Sequence, residues 1–122
     1  MISTLLVSRK KSLFSDIKNV FAESLIKTAW SRTGTKALSM LSKKPVNLLI
    51  IEENLSDMTG KKFIKNVVMK NPMTNCVVAS SLSHKKFHEE YEGFGILMQL
   101  PIEPGPKDAQ ELIEHLKLVF HL

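Results

Sequence analysis

The chain has 122 residues, 43% of them hydrophobic, 24% charged and 7% aromatic, which suits one domain over residues 1–122 and excludes a disordered tail, a collagen-like repeat or a disulfide scaffold. The formal charge of +5 is uneven, with a net +7 in residues 1–44 and a net −2 in residues 45–122. The single cysteine, Cys76, has no internal disulfide partner, no stretch nears the ~18 to 20 apolar residues of a membrane span, and in MISTLLVSRKK the apolar run precedes the charges, the reverse of a secretory signal; a cytoplasmic protein with no membrane association is expected.

Ile2 to Val7 is a short run of strand formers. Ser12 to Phe21 sets Leu13, Phe14, Ile17, Val20 and Phe21 at helical spacing, with Ser12 as the expected N-cap. Ser24 to Thr28 reads as a weak strand, followed by Trp30 in a loop, where covering the edge of the core is favoured over service as an exposed binding anchor. Gly34 to Leu41 predicts a helix with Ala37, Leu38 and Leu41 inward, stopped by Lys43-Lys44-Pro45. Val46 to Ile51 is nearly continuous apolar sequence, as in a parallel strand covered on both faces. A polar loop over 54–59 leads to a helix over Thr59 to Lys70, with Phe63, Ile64, Val67 and Val68 on one side and Asn71-Pro72 at its end. Asn75 to Ala79 is a strand, Ser83 to Glu92 a polar helix ending near Gly93, and Ile96 to Gln99 the last strand. After a rigid turn from Pro101 to Pro106, Lys107 to Phe120 predicts a helix with Ala109, Leu112, Ile113, Leu116, Val119 and Phe120 inward.

This is βα repeated five times. Parallel neighbours need crossover helices, and right-handed crossovers leave few topologies. The expected fold is α/β, a doubly wound five-stranded parallel sheet in the order 2-1-3-4-5 flanked by five helices. Its working site lies at the carboxyl ends of the strands, just after Val7, Ile51, Ala79 and Gln99.

At those strand ends the stretch Val46 to Gly60, VNLLIIEENLSDMTG, resembles the central segment of a response-regulator receiver domain. That family reads apolar strand, phosphoacceptor Asp, two residues, then Leu-Pro-Asp-Met-Asp-Gly. The βα register, Asn71-Pro72 before the fourth strand and Pro101 after the fifth also match, so the resemblance covers essentially the whole chain. It implies a flavodoxin-like receiver fold. It also implies a phosphotransfer pocket built from an Asp nucleophile, acidic residues after the first strand that hold a divalent metal, a Ser or Thr after the fourth strand and a Lys after the fifth. The metal and the Lys offset charge on the phosphoryl oxygens, and the hydroxyl bonds one of them.

Carried onto this chain, the pocket is Ser8, Arg9, Glu52, Asn54, Ser80, Leu100 and Pro101. Glu52 holds the nucleophile position one methylene further out, and a displacement of ~1 Å can cost about two orders of magnitude in rate. Ser8-Arg9 replaces the acidic pair, and a guanidinium offers a hard cation no ligand. Ser80 is retained, and Leu100 stands where the Lys belongs. The expectation is an atypical receiver: no enzyme, no cofactor (magnesium included), and a protein–protein interaction module in two-component signalling. One hypothesis is that Arg9 or Lys10 pairs with Glu52 where the metal sits in receivers and holds one signalling state; the plainer reading is that both are solvated.

One alternative function is a working phosphoacceptor using Glu52 or Asp57. Another is a basic adaptor binding nucleic acid or another polyanion through residues 1–44, disfavoured because those cations are scattered without aromatic interleaving. By resemblance the partner is a histidine kinase or an effector. The fourth helix, fifth strand and fifth helix, carrying Tyr91, Met98, Gln99, Pro104 and His115, form the interaction face and an avenue to a homodimer. No effector domain fits after the fifth helix before Leu122, which leaves both a stand-alone protein and a piece of a longer chain open.

Other constellations are weaker. His84 and His88 have metal-ligand spacing without a full donor set, so no metal site is expected. Cys76 reads as an inert core thiol, and a phosphocysteine carrier needs its Cys where this chain has Ser8. Gly93-Phe94-Gly95 lies before a strand, the wrong side for a phosphate loop. Ser12, Ser80 and Ser81 lack an organised His and Asp, so hydrolase chemistry has no support.

Overall fold

The apolar runs form five parallel strands, and the 3.6-period segments between them cover both faces of the resulting sheet. A computed structural model of the chain describes residues 2–121. Its elements are β1 (Ser3–Val7), a 3₁₀ turn (Lys11–Phe14), α1 (Ser15–Glu23), β2 (Lys27–Ser31), α2 (Gly34–Lys43), β3 (Leu48–Glu52), α3 (Gly60–Lys70), β4 (Asn75–Ala79), α4 (His84–Glu90), β5 (Met98–Leu100) and α5 (Pro106–Val119). The sheet order is β2-β1-β3-β4-β5 with every pair parallel, the topology expected from the sequence. No helix among the described residues is long and apolar enough to cross a membrane.

The period of two along each strand sorts the core into two layers. Leu6, Leu48, Ile50, Val77 and Leu100 pack with Phe14, Ile17, Phe21, Leu112 and Leu116 beneath α1 and α5. Leu5, Val7, Leu49, Ile51 and Val78 pack with Leu41, Phe63, Ile64, Val67 and Phe87 beneath α2, α3 and α4. Strand β3 lies at the centre, buried on both faces through Glu52. Thr33, Thr59 and Ser83 cap α2, α3 and α4, their side-chain oxygens accepting from Lys36, Lys62 and Lys86 N–H.

Some boundaries differ from expectation. Ser12 is not an N-cap: the chain enters α1 through the 3₁₀ turn, with Leu13 N–H donating to Lys10 O. The second strand starts at Lys27, not Ser24, because α1 ends in a Schellman turn. Ile26 N–H donates to Phe21 O and Leu25 N–H to Ala22 O, with Leu25 at φ 60 in the left-handed region that glycine usually fills. Trp30 consequently lies inside β2, half-buried at the core edge. Strand β3 begins at Leu48, and β5 begins at Met98 because the glycine turn before it, with Gly93 and Gly95 both at positive φ, delays pairing with β4. Val119 is exposed rather than inward. Leu13, Leu38, Val68 and Phe120 sit at the rim of the core rather than inside it.

Candidate functional site

At the carboxyl ends of β1, β3 and β4 two adjacent carboxylates, Glu52 and Glu53, leave β3 in opposite directions, as strand alternation requires. Glu52 is 4% exposed. Its Oε1 accepts from the Arg9 backbone N–H at 2.9 Å and from Arg9 Nε at 2.7 Å. The Arg9 side chain itself is 56% exposed, so a solvated guanidinium closes over a buried carboxylate. The adjoining cleft, about 360 Å³, is lined by Arg9, Lys10, Leu13, Glu52, Ile102 and Glu103. Of the two cations proposed to face Glu52 from the end of β1, Arg9 makes the pair.

Ser8 is fully buried, and its hydroxyl donates to Lys10 O at 2.7 Å and accepts from the Trp30 indole N–H at 3.0 Å. As a donor set for a divalent cation this end of the sheet is a poor fit. Ser8 Oγ is engaged, Arg9 brings a positive charge, and the Glu52 oxygen facing Arg9 already receives two donors. Leu100 is buried in the layer under α1 and α5 and carries no charge toward the cleft. Pro101 and Asn54 are exposed, Asn54 bridging Thr59 across the β3–α3 loop.

Sequence reasoning missed the role of Glu53. Its Oε2 accepts from Ser80 Oγ at 2.9 Å and from the Tyr91 hydroxyl at 3.0 Å. Ser80 Oγ in turn accepts from Leu82 N–H at 3.0 Å. Burial, and then the negative charge of Glu53, push the Tyr91 hydroxyl well above its ordinary value. Ser80 is therefore joined to Glu53 rather than Glu52. The signal in the sequence was the pair of adjacent carboxylates ending an apolar strand, of which one must face α4. The close approach of Gly60, whose N–H donates to Glu53 O and where a Cβ would lie 2.8 Å from that oxygen, holds the Glu53 backbone in place.

Asp57 has a structural partner of its own. Its carboxylate accepts from Gly34 N–H, Thr35 N–H and the Thr35 hydroxyl at the start of α2. The Thr35 hydroxyl above all, with these amides, holds its pKa down at about 2.

The residues placed on the expected interaction face divide. His115 is exposed, and Met98 and Gln99 are half-buried, with Gln99 Nε2 donating to Leu82 O at 2.9 Å. Tyr91 and Pro104 are buried and offer no surface, a correction to the expected face: Tyr91 turns inward to reach Glu53, and Pro104 precedes the cap of α5. His84 and His88 stack edge to face on α4, and no cluster of three metal-ligating side chains occurs among the described residues. Cys76 is buried inside β4, and burial pushes its thiol up to about 12.

No protein-family model matches the sequence, and no curated protein matches it significantly. Solved structures do match. The chemotaxis response regulator CheY4 of Vibrio cholerae superposes with a TM-score of 0.85 at 19% identity, over 95% of this chain and 98% of that one. A two-component response regulator from Clostridium difficile gives 0.84 at 16% identity, over 99% and 97%. The signal receiver domain of an HD domain-containing protein from Pseudomonas fluorescens gives 0.81 at 21% identity, over 96% and 85%. The fold is the flavodoxin-like receiver fold. In that fold Glu52, at the end of the central strand, holds the position the sequence resemblance assigns to the phosphoacceptor, and Arg9 lies against it.

Proposed function

We propose that this chain is an atypical receiver: a protein–protein interaction module in two-component signalling whose phosphorylation pocket is closed by its own side chains. The observation that carries the reading is the double contact of Arg9 on Glu52 Oε1, at 2.7 and 2.9 Å, over a buried carboxylate. A guanidinium on the nucleophile position supplies internally the positive charge that magnesium and a lysine supply in receivers. It also removes the room and the ligands a metal needs. The pair holds the strand ends in one state, so recognition by a partner, a kinase or an effector of cytoplasmic signalling, does not wait on phosphorylation. The buried Leu100 supports the same reading, since the phosphoryl-binding lysine is replaced by a core side chain.

The test is incubation of the chain with a small acyl phosphate and magnesium, followed by intact-mass measurement and peptide mapping. The expected result is no hydroxylamine-labile phosphoryl adduct, together with capture of the same signalling partner with and without the phosphodonor. An adduct on Glu52 or Asp57 would overturn the proposal in favour of a working phosphoacceptor. Conformation and partner affinity unchanged in Glu52→Gln would remove the ion pair from the account.

A further inference from the structure

Strand β2 is an edge of the sheet, with β1 on one side and no described strand on the other. In a parallel ladder the N–H and C=O of one residue face the same side, and successive residues face opposite sides. Lys27 N–H donates to Ile2 O and Ser31 O accepts from Ser8 N–H, so Lys27, Ala29 and Ser31 face β1. The main-chain groups of Thr28 and Trp30 therefore point outward from the sheet. A bare edge of this kind is a template for another extended chain.

Beside this edge, on the face carrying α1, lies a groove of about 230 Å³ whose lining includes Leu6, Lys11, Phe14, Lys18, Thr28 and Trp30. Lys11 Nζ stands 5.7 Å from the Trp30 ring centre and the Arg32 guanidinium 5.5 Å from it. No carboxylate lines the groove, and none of Lys11, Lys18 and Arg32 forms an ion pair among the described residues. Two cations over one half-buried tryptophan and a third, Lys18, lining the same groove, beside unpaired strand groups, combine strand addition with selection for negative charge.

We propose that this edge takes an extended acidic segment of a partner protein, added as a sixth strand along β2 with carboxylates at alternate positions over Lys11, Lys18 and Arg32. The main-chain groups of Thr28 and Trp30 supply the ladder, and the cations select the sequence. A second copy of this chain is a poor occupant, because pairing β2 with itself brings the two sets of cations together. Nucleic acid is a poor occupant too. The Trp30 ring is already faced by two cations, Lys11 and Arg32, which a stacking base would have to displace.

The experiment is an amide NMR titration of the whole chain at physiological salt with an alternating Thr-Glu octapeptide. The same peptide with Lys for Glu and an oligothymidylate of equal length serve as comparisons. The Thr-Glu peptide is expected to shift the Thr28, Ala29 and Trp30 amides and the Trp30 indole signal, and to slow hydrogen exchange at Thr28 and Trp30. The double variant Lys11→Glu/Arg32→Glu is expected to weaken binding by at least about tenfold, as reversal of interface charges does. Thr28→Pro removes an outward N–H at an edge position that tolerates proline, and is expected to abolish binding with the circular dichroism unchanged. Equal binding of the Lys peptide, or unchanged exchange at Thr28 and Trp30, would overturn the proposal and leave the cations as guards against edge-to-edge aggregation. Oligothymidylate binding that survives Thr28→Pro would overturn it in favour of a nucleic-acid surface.

Discussion

Glu52 and Glu53 are neighbours in the chain and opposites in how their charge is held. Glu52 is buried on the α1 side and answered by a cation, Arg9, that stays largely in water. Glu53 lies on the α4 side and is answered by two neutral hydroxyls, Ser80 and Tyr91. One strand end thus carries an ionic clasp and a hydroxyl clasp back to back. The ionic clasp ties β3 to β1, and the hydroxyl clasp ties β3 to β4 and α4.

The largest effect is expected from breaking the ionic clasp on the side that leaves a charge stranded. Arg9→Ala leaves the Glu52 carboxylate buried with the Arg9 main-chain N–H as its remaining donor from that residue, at a cost of about 2 kcal/mol in urea unfolding. Adding Glu52→Gln to it is expected to restore most of the loss. If the double variant is no more stable than Arg9→Ala, the cost lies in the arginine stem and not in an uncompensated charge.

Breaking the hydroxyl clasp is expected to cost less. Tyr91→Phe keeps the packing against Phe87, at 4.7 Å between ring centres, and removes one of two donors to Glu53, about 1 kcal/mol. The effect of Tyr91→Phe is expected to be insensitive to added salt, whereas that of Arg9→Ala shrinks with it, because one partner of the ionic clasp is solvent-exposed. Equal salt dependence in the two variants would erase the distinction drawn between them.

A contrast to both clasps is Thr4, whose buried hydroxyl has no hydrogen-bond partner among the described residues. Thr4→Val is expected to stabilise the chain by up to about 1 kcal/mol, since an isosteric apolar group replaces an unsatisfied polar one. A loss on the same scale would mean that a bound water answers that hydroxyl.

The smallest effect concerns the third carboxylate of the region. Asp57 is lowered from 3.8 to about 2 by its bonds at the start of α2, so its contribution is present above about pH 4 and lost as pH falls toward 2. At neutral pH Asp57→Asn is expected to cost about 1 kcal/mol or less, because the amide keeps one acceptor oxygen and turns its NH2 toward the donors the other carboxylate oxygen served, at an exposed site. The gap between the two proteins should close between pH 4 and pH 2, followed by the helical signal. A gap that widens on acidification would contradict the assignment.

The sequence carried the fold well where periods were clean. The apolar run of β3 and the short strand Asn75–Ala79 are local signals, and the structure keeps both, with β3 starting two residues later than expected. The second strand was misplaced because Leu25, not glycine, makes the left-handed turn that ends α1. Of the site, the Arg9–Glu52 pair was legible because a lost acid and a gained base met at one strand end. The Glu53–Ser80–Tyr91 clasp was not, since the tyrosine lies 38 residues downstream on a helix whose polar sequence suggested a solvated surface. Burial of one turn of such a helix leaves little periodic trace, and the partner of a hydroxyl is set by packing rather than by spacing.

The most direct measurement is an amide NMR titration of the chain with magnesium, then with magnesium and beryllofluoride as a phosphoryl mimic. The account predicts no shifts at Ser8, Arg9, Glu52, Ser80 and Leu100 in either step. Shifts clustered at those amides and spreading to α4 and α5 would show that the pocket opens, accepts the mimic and still switches, and would contradict the closed ion pair.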